Sequence, residues 1–187
     1  PEYETTGGTP PGSRKNSFAG LDKFGRVAGT SQRFSAGAHG QDAWRFDGSN
    51  AQVIGLVGDG YEYTDHNGTR WRYGTSVAMS AFGQVAGHSY RYETRVSYLA
   101  YEGQDAWVFD GSTTRVIGLT GTDYDGSPNF YGMVNRYAES KLINDYGQVA
   151  GFTDRRNPNG VRGRDVWFYD GSSTQRIGLT GAGYETS

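Results

Sequence analysis

The segment Asp105-Ala106-Trp107-Val108-Phe109-Asp110-Gly111 is the most informative part of this sequence, because close copies of it stand at residues 42–48 and 165–171. Its apolar and aromatic residues alternate with a period of two, which is typical of a β-strand. The Asp-Gly that ends it is a hairpin signal, since tight turns need the positive φ that glycine readily adopts. An Ile-Gly-Leu segment begins ten residues after each Trp and predicts the returning strand.

A second repeated motif precedes each copy of the first, at residues 24–29, 82–87 and 146–151. It ends in Val-Ala-Gly and predicts a short strand entered through a glycine turn. The segments at 77–80 and 141–143 are candidates for the strand before that turn. Each repeat therefore predicts four short antiparallel strands, and the Trp residues of successive repeats are 63 and 60 residues apart.

Four antiparallel strands in about 60 residues are typical of one blade of a β-propeller. We therefore predict an all-β fold of three propeller-like blades with four antiparallel strands each. The whole chain, 1–187, is predicted to be one repeat domain, with units at about 1–58, 59–121 and 122–187 in a permuted phase. A Tyr followed by an acidic residue at 3–4, 61–62, 124–125 and 184–185 sets this phase.

The predicted core lies between units, because one unit cannot bury both of its faces alone. We expect it to be built from the Trp and Ile at equivalent repeat positions: Trp44, Trp107, Trp167, Ile54, Ile117 and Ile177. Propellers typically have 4–8 blades, so three units do not readily close a ring. The alternatives are completion by a second chain, membership of a longer parent chain, or an open array. Each of them predicts a homo-oligomer or a larger assembly.

Composition excludes several other classes of protein. The 27 aromatic residues among 187 (14 Tyr, 9 Phe, 4 Trp) argue against disorder. The net charge of −2 gives no basic field for nucleic acid. No apolar run approaches the length of a membrane span. The absence of cysteine removes disulfides and thiolate chemistry.

The segment Leu142-Ile143-Asn144-Asp145-Tyr146-Gly147-Gln148-Val149-Ala150-Gly151, followed by an aromatic strand, resembles the HAF-type extracellular repeats of bacteria. The resemblance covers most of residues 17–181, although this chain has Asp-Ala-Trp or Asp-Val-Trp where that family has His-Ala-Phe. It implies an extracellular or surface-displayed repeat protein. It implies no catalytic residue.

We predict that the protein is not an enzyme. The three histidines, His39, His66 and His88, fall at different repeat positions and form no pattern typical of a metal site. Residues 87–91 begin like a nucleophile elbow but lack its final glycine. Catalysis usually needs one asymmetric group of residues, which a repeated sequence does not supply. The expected function is structural or adhesive, with self-association or a place in a larger surface assembly.

The alternative function is that of a carbohydrate-binding, lectin-like propeller. Flat aromatic side chains follow the first Ile-Gly-Leu segment, and an arginine pair lies on a later hairpin rim. The candidate ligand-binding residues are Tyr61, Tyr63, Trp71, Tyr73, Arg155 and Arg156. The same residues would also serve as loop packing and as a solvated charged face.

Calcium is the one metal that the sequence suggests, and no other cofactor is predicted. Acidic residues lie in glycine-rich loops after the Ile-Gly-Leu strands, and calcium prefers oxygen ligands. The candidate ligands are Asp59, Glu62, Asp123 and Asp125. The pattern lacks the acidic residue that ends a standard calcium loop, so solvated turns are the alternative.

Overall fold

A computed structural model describes residues 14–34, 37–93, 100–127, 134–157 and 160–179. The regular secondary structure of these residues is β-strand without helix, which confirms the predicted all-β class. The thirteen strands are β1 (Asn16–Leu21), β2 (Val27–Arg33), β3 (Ala38–Phe46), β4 (Ala51–Val53), β5 (Tyr63–Thr64), β6 (Arg70–Met79), β7 (Val85–Glu93), β8 (Ala100–Phe109), β9 (Thr114–Ile117), β10 (Arg136–Ile143), β11 (Val149–Asn157), β12 (Gly160–Tyr169) and β13 (Thr174–Ile177).

Three groups of four strands are paired antiparallel in chain order. We call β1–β4 the first unit, β6–β9 the second unit and β10–β13 the third unit. Short parallel pairings link them, β3 with β6 and β8 with β10. The described strands therefore form one mixed sheet that does not close on itself. The predicted three propeller-like blades are therefore not confirmed as separate four-stranded sheets, because hydrogen bonds continue from each unit into the next.

The three units share one register, down to the same irregularity. In each first hairpin the pairing shifts by one residue, between Phe18 and Gly20 and at the equivalent places in β6 and β10. The glycine of each Val-Ala-Gly lies opposite the Trp of the next strand, as Gly87 does opposite Trp107. A Cβ on Gly87 would collide with the indole ring of Trp107, so only glycine lets the large ring lie flat across β7.

Two apolar clusters fill the space between units. Trp107 of the second unit packs with Ala43 and Ile54 of the first, and it is fully buried. Trp167 of the third unit packs in the same way with Ala106 and Ile117 of the second. The strand around Trp107 is covered on both faces, since its neighbours of either orientation are also buried. We call each contact between consecutive units a seam: the first joins units one and two, and the second joins units two and three.

Two of the predicted core residues differ from their equivalents. Ile177 is 42% exposed, whereas Ile54 and Ile117 are 2% and 5% exposed. Trp44 is only partly buried, whereas Trp107 and Trp167 are inaccessible to solvent. The physical reason is position. Among the described residues no unit precedes Trp44 and none follows Ile177, so each lacks the neighbour that covers its equivalents.

Candidate functional site

The most elaborate polar arrangement in the described chain is a buried carboxylate cluster at the second seam. The Asp105 side chain is 2% exposed, and its two oxygens face different partners. The Nε of Arg136, on β10 of the next unit, donates a hydrogen bond to Oδ1 at 2.8 Å, and the Nη2 of the same guanidinium forms an ion pair with that oxygen at 2.7 Å. The phenol of Tyr61, from the segment between the first two units, donates to Oδ2 at 2.7 Å. Arg91 lies 3.4 Å from the same oxygen.

The same cluster extends to the loop after the second Ile-Gly-Leu segment. Arg136 Nη1 donates to Asp125 Oδ1 at 2.7 Å. Burial lowers the pKa of Arg136, but the ion pairs with Asp105 and Asp125 outweigh it, and its pKa is raised. The pKa of Tyr61 is raised by burial and further by the Asp105 carboxylate, so the phenol keeps the proton that it donates. Each charged group therefore has a partner of opposite sign, as burial of ions requires.

The first seam repeats this arrangement. Arg72, equivalent to Arg136 by register, binds Asp42 with two nitrogens, one of them at 2.8 Å from Oδ2. It also pairs with Glu62, which is equivalent to Asp125. The Asp42 side chain is 1% exposed, and Arg33 lies 3.6 Å from it. A carboxylate on one unit and a guanidinium on the next thus form a clamp that occurs once per seam.

Two further contacts recur at both seams. A hydroxyl at equivalent positions accepts a backbone N–H of the preceding unit, Ser89 from Leu56 at 3.2 Å and Thr153 from Leu119 at 3.3 Å. A glycine in positive φ, such as Gly103 (φ 98), packs against the backbone carbonyl of the clamping arginine, here Arg136. A Cβ at Gly103 would collide with that carbonyl oxygen. The Asp, Arg, Gly and hydroxyl positions therefore all contribute contacts between consecutive units. The oxygens of the buried carboxylates accept hydrogen bonds and ion pairs from the groups that join the units.

The candidate ligand-binding residues fall into separate places. Tyr61 belongs to the clamp, and Tyr63 is 1% exposed beside the ring of Tyr92. Trp71 stacks on His39 with ring centroids 4.7 Å apart, and its indole donates to Asp65 at 3.2 Å. These rings are therefore engaged with protein partners.

Tyr73 begins a short aromatic ladder across the second unit. Its ring stacks on Tyr90 at 5.1 Å, and Tyr90 lies 4.8 Å from Tyr101, which is 43% exposed. The predicted ligand-binding set contains Tyr73 but not Tyr90 and Tyr101, two of the aromatic residues that flank the longer interval of the second repeat. These tyrosines alternate with polar residues along β7 and β8, and that period-two pattern was the sequence signal that could have identified them.

The two candidate arginines lie in the third unit, away from these rings in the chain. Arg155 Nε is 3.9 Å from Oδ2 of Asp165, which is the third-unit equivalent of Asp42 and Asp105. Arg155 therefore pairs with a carboxylate of its own unit. The backbone N–H of Arg156 donates to the carbonyl of Asp123 at 2.7 Å. The structure therefore separates the two arginines of the predicted ligand set from its four aromatic residues.

The four candidate calcium ligands belong to two different loops. Glu62 and Asp125 pair with Arg72 and Arg136, while Asp59 and Asp123 are exposed. Within the described ranges, no three acidic or histidine side chains lie close enough together to hold a metal ion. Two of the four predicted calcium ligands, Glu62 and Asp125, are therefore ion-pair partners of the clamp arginines.

The two ends of the described chain carry surfaces that no sequence motif indicated. Beside the first unit lies a cavity of about 810 Å³ whose lining includes Trp44, Phe18 and Ala51. At the other end, Val166 and Leu179 are 49% and 74% exposed. The equivalents of these residues lie inside the seams. We call the surface around Trp44 the N-face and the surface around Val166, Ile177 and Leu179 the C-face.

Comparison with known proteins gives one similar structure. No protein-family model matches this chain, and no curated protein sequence matches it. A solved structure of a fucose lectin from Kordia zhangzhouensis, in complex with methyl-fucoside, is similar over 89% of this chain and 100% of that chain. The sequence identity is 16% and the TM-score is 0.37. The part of the chain that the structure describes has no helix with the length and apolar character needed to cross a membrane.

Proposed function

We propose that this protein is a non-enzymatic β-repeat protein with a structural or adhesive role, and that it self-associates through its ends. The observation that carries the proposal is the contrast between seams and ends. Apolar positions that are buried at both seams are repeated at the C-face, where Ile177 and Val166 are exposed, and at the N-face, where Trp44 is only partly buried. Exposed apolar surface of this kind marks an interaction site.

In this proposal each unit is a propeller-like blade of four antiparallel strands. The antiparallel pairing in chain order and the shared register support it. The packing of a Trp from each later unit against the preceding unit also supports it, because propeller blades stack face against face. The resemblance to HAF-type repeats supports an extracellular or cell-surface location for the assembly.

The experiment is the mass of the particle in solution. Light scattering coupled to size exclusion, and sedimentation over a hundredfold range of concentration, should give a mass above that of one 20.4 kDa chain. The assembly should dissociate into single chains on dilution if the N-face and the C-face form the contact. A particle that stays monomeric up to the highest soluble concentration would contradict self-association.

A second candidate function is carbohydrate binding, favoured by the aromatic ladder of Tyr73, Tyr90 and Tyr101. A partly exposed ring held in place by stacked neighbours suits the apolar face of a sugar. A glycan array should show binding that is lost in Tyr101→Ala. The matched control is Tyr146→Ala, since Tyr146 is 85% exposed and lies on a turn of the third unit. Binding that persists in Tyr101→Ala would exclude the ladder.

A further inference from the structure

The N-face and the C-face are two halves of one seam. By strand register, Trp44 and Ser31 of the first unit are equivalent to Trp107 and Ser89, which pack on the preceding unit at the first seam. The same register makes Val166 of the third unit equivalent to Ala106, which is buried at the second seam. The N-face therefore corresponds to the surface that the later unit contributes to a seam, and the C-face corresponds to the surface that the earlier unit contributes.

The apolar parts of the two ends are complementary. At the seams, a Trp of the later unit is buried against an Ile and a small residue of the earlier unit. The N-face offers Trp44 at the wall of the 810 Å³ cavity. The C-face offers Ile177 and Val166, which are 42% and 49% exposed. Bringing them together would remove these side chains from water, which is the main source of favourable free energy in such contacts.

The polar parts match as well. Ser31 is equivalent to Ser89 and Thr153, whose hydroxyls accept the N–H of the Leu in the preceding unit, and Leu179 holds that Leu position on the C-face. Arg14 holds the position of Arg72 and Arg136 by register, counted back from the paired residues of β1. Asp165 holds the position of Asp42 and Asp105.

Asp165 is already positioned as its equivalents are. It accepts the Tyr124 phenol at 2.8 Å, as Asp105 accepts that of Tyr61. Arg176 of its own unit lies 3.6 Å away, on a side chain that is 36% exposed. Gly163 is the equivalent of Gly103 and also has a positive φ. No atom of the described chain beyond its own neighbours lies within 4 Å of where its Cβ would be. At Gly103 that space is filled by the carbonyl of the next unit.

We propose that two copies of this chain join head to tail, the C-face of each on the N-face of the other, and close into a ring of six units. This inference rests on the proposed self-association. The contact is heterologous, and such contacts either close into a ring or continue into a fibre. Two copies supply six blades, which lies within the usual 4–8 of a closed propeller. One copy, with three, lies below it.

The register predicts which residues meet across the new seam. Gln41 lies opposite Tyr73 at the first seam, and Gln104 opposite Tyr137 at the second. The equivalent pair is Arg164 of one copy and Lys15 of the other. The chain contains no cysteine, so an engineered pair reports on this contact alone. Neighbouring strands bring Cα atoms within the range that a disulfide spans.

The first experiment is oxidation of the double variant Lys15→Cys/Arg164→Cys. The ring predicts a covalent species of two chains on a non-reducing gel, with little monomer. The single variants Lys15→Cys and Arg164→Cys are the controls and should stay monomeric on the same gel. A ladder of larger species would overturn the ring in favour of a fibre. A disulfide within one chain would overturn it in favour of closure by a single copy.

The second experiment adds a charge to one face at a time. Val166→Asp on the C-face and Ala51→Glu on the N-face should each raise the dissociation constant of the dimer by at least about 30-fold, because each buries an unpaired charge. Val116→Asp is the matched control. Val116 lies on β9 of the second unit and is 44% exposed, close to the 49% of Val166, but it belongs to neither end face. It should leave the dissociation constant unchanged.

The outcomes separate this inference from the proposed self-association. A wild-type chain that is monomeric, for example because its own first residues fill the N-face, overturns both. A dimer that tolerates both face variants keeps self-association but overturns the head-to-tail ring. A dimer that is weakened by only one of the two face variants would be formed by contact between like faces. This result would also overturn the ring. Sensitivity to both, with the two-chain disulfide, supports it.

Discussion

The guanidinium of Arg136 joins the third unit to a buried carboxylate of the second unit. It supplies one hydrogen bond and a second ion-pair contact to Asp105, whose side chain is 2% exposed. Arg136→Ala would leave that carboxylate buried without its main partner. We expect a loss of about 3–5 kcal/mol in the free energy of unfolding, measured by chemical denaturation.

The control for this prediction is Arg115→Ala in the same unit. Arg115 pairs with Asp110 at 3.2 Å, but its side chain is 60% exposed, so solvent screens the pair. We expect a loss of at most about 1 kcal/mol. Equal losses in the two variants would show that burial of the clamp contributes no stability.

Asp170 makes stability depend on pH in a direction that its hydrogen bonds determine. The backbone N–H groups of Ser173 and Ser172 donate to its carboxylate at 2.9 and 2.8 Å, and they lower its pKa to about 2. Since the folded pKa is below the unfolded one, the carboxylate stabilises the fold fully above the unfolded value of 3.8. This contribution is lost as pH falls towards 2.

The measurement is the free energy of unfolding of wild type and of Asp170→Ala at several pH values. The difference between the two should be constant above about pH 5 and should shrink below the ordinary aspartate pKa. A difference that grows on acidification would mean that the pKa is raised and that the turn favours the protonated acid.

At the scale of the elements, the parallel pairing of β8 with β10 requires a glycine at the join. Gly103 has a φ of 98° and packs on the carbonyl of Arg136. Gly103→Ala adds backbone strain of about 1–2 kcal/mol and a collision of about 1–3 kcal/mol. We therefore expect a total loss of roughly 2–5 kcal/mol, read from thermal or chemical unfolding.

Gly111→Ala isolates the strain from the collision. Gly111 has a similar φ of 111°, but its added Cβ would meet no atom within 4 Å. We expect this variant to lose only the strain, about 1–2 kcal/mol. If both variants lost the same amount, close approach of β8 and β10 would not be what selects glycine at 103.

The hairpin after each Trp strand was predicted from Asp-Gly, and the structure adds its detail. The loop between β8 and β9 spans residues 110–113, and Asp110 accepts the N–H groups of Ser112 and Thr113, both at 2.9 Å. The turn is therefore four residues long, with the aspartate as acceptor and Gly111 in positive φ. These are local interactions, which is why Asp-Gly was enough to predict a hairpin here, although it did not predict the length of the loop.

At the scale of the whole molecule, stability should pass from unit to unit through the Trp residues of the seams. Trp107 belongs to the second unit but packs mainly with residues of the first. Trp107→Ala should therefore lower the free energy of unfolding by about 3–5 kcal/mol. Hydrogen exchange should speed up in both of these units, because in a repeat protein each interface stabilises two neighbours.

Trp71→Ala is the comparison for this substitution. Trp71 also belongs to the second unit, but it is partly exposed and stacks on His39. Its loss should cost less than that of Trp107 and leave exchange within the third unit unchanged. Faster exchange in the second unit alone after Trp107→Ala would mean that the units unfold independently.

The amino-acid sequence by itself was sufficient for the repeat, the strands and the burial of Trp107 and Ile117. Period-two alternation and Asp-Gly turns act over a few residues, so they can be read directly from the chain. The partners of Asp105 could not be read in this way. Tyr61 and Arg136 lie 44 and 31 residues from it, and they meet it only because consecutive units pack in parallel register. Whether Ile177 is buried was decided by its neighbours too, since burial depends on what packs next and not on the residue itself.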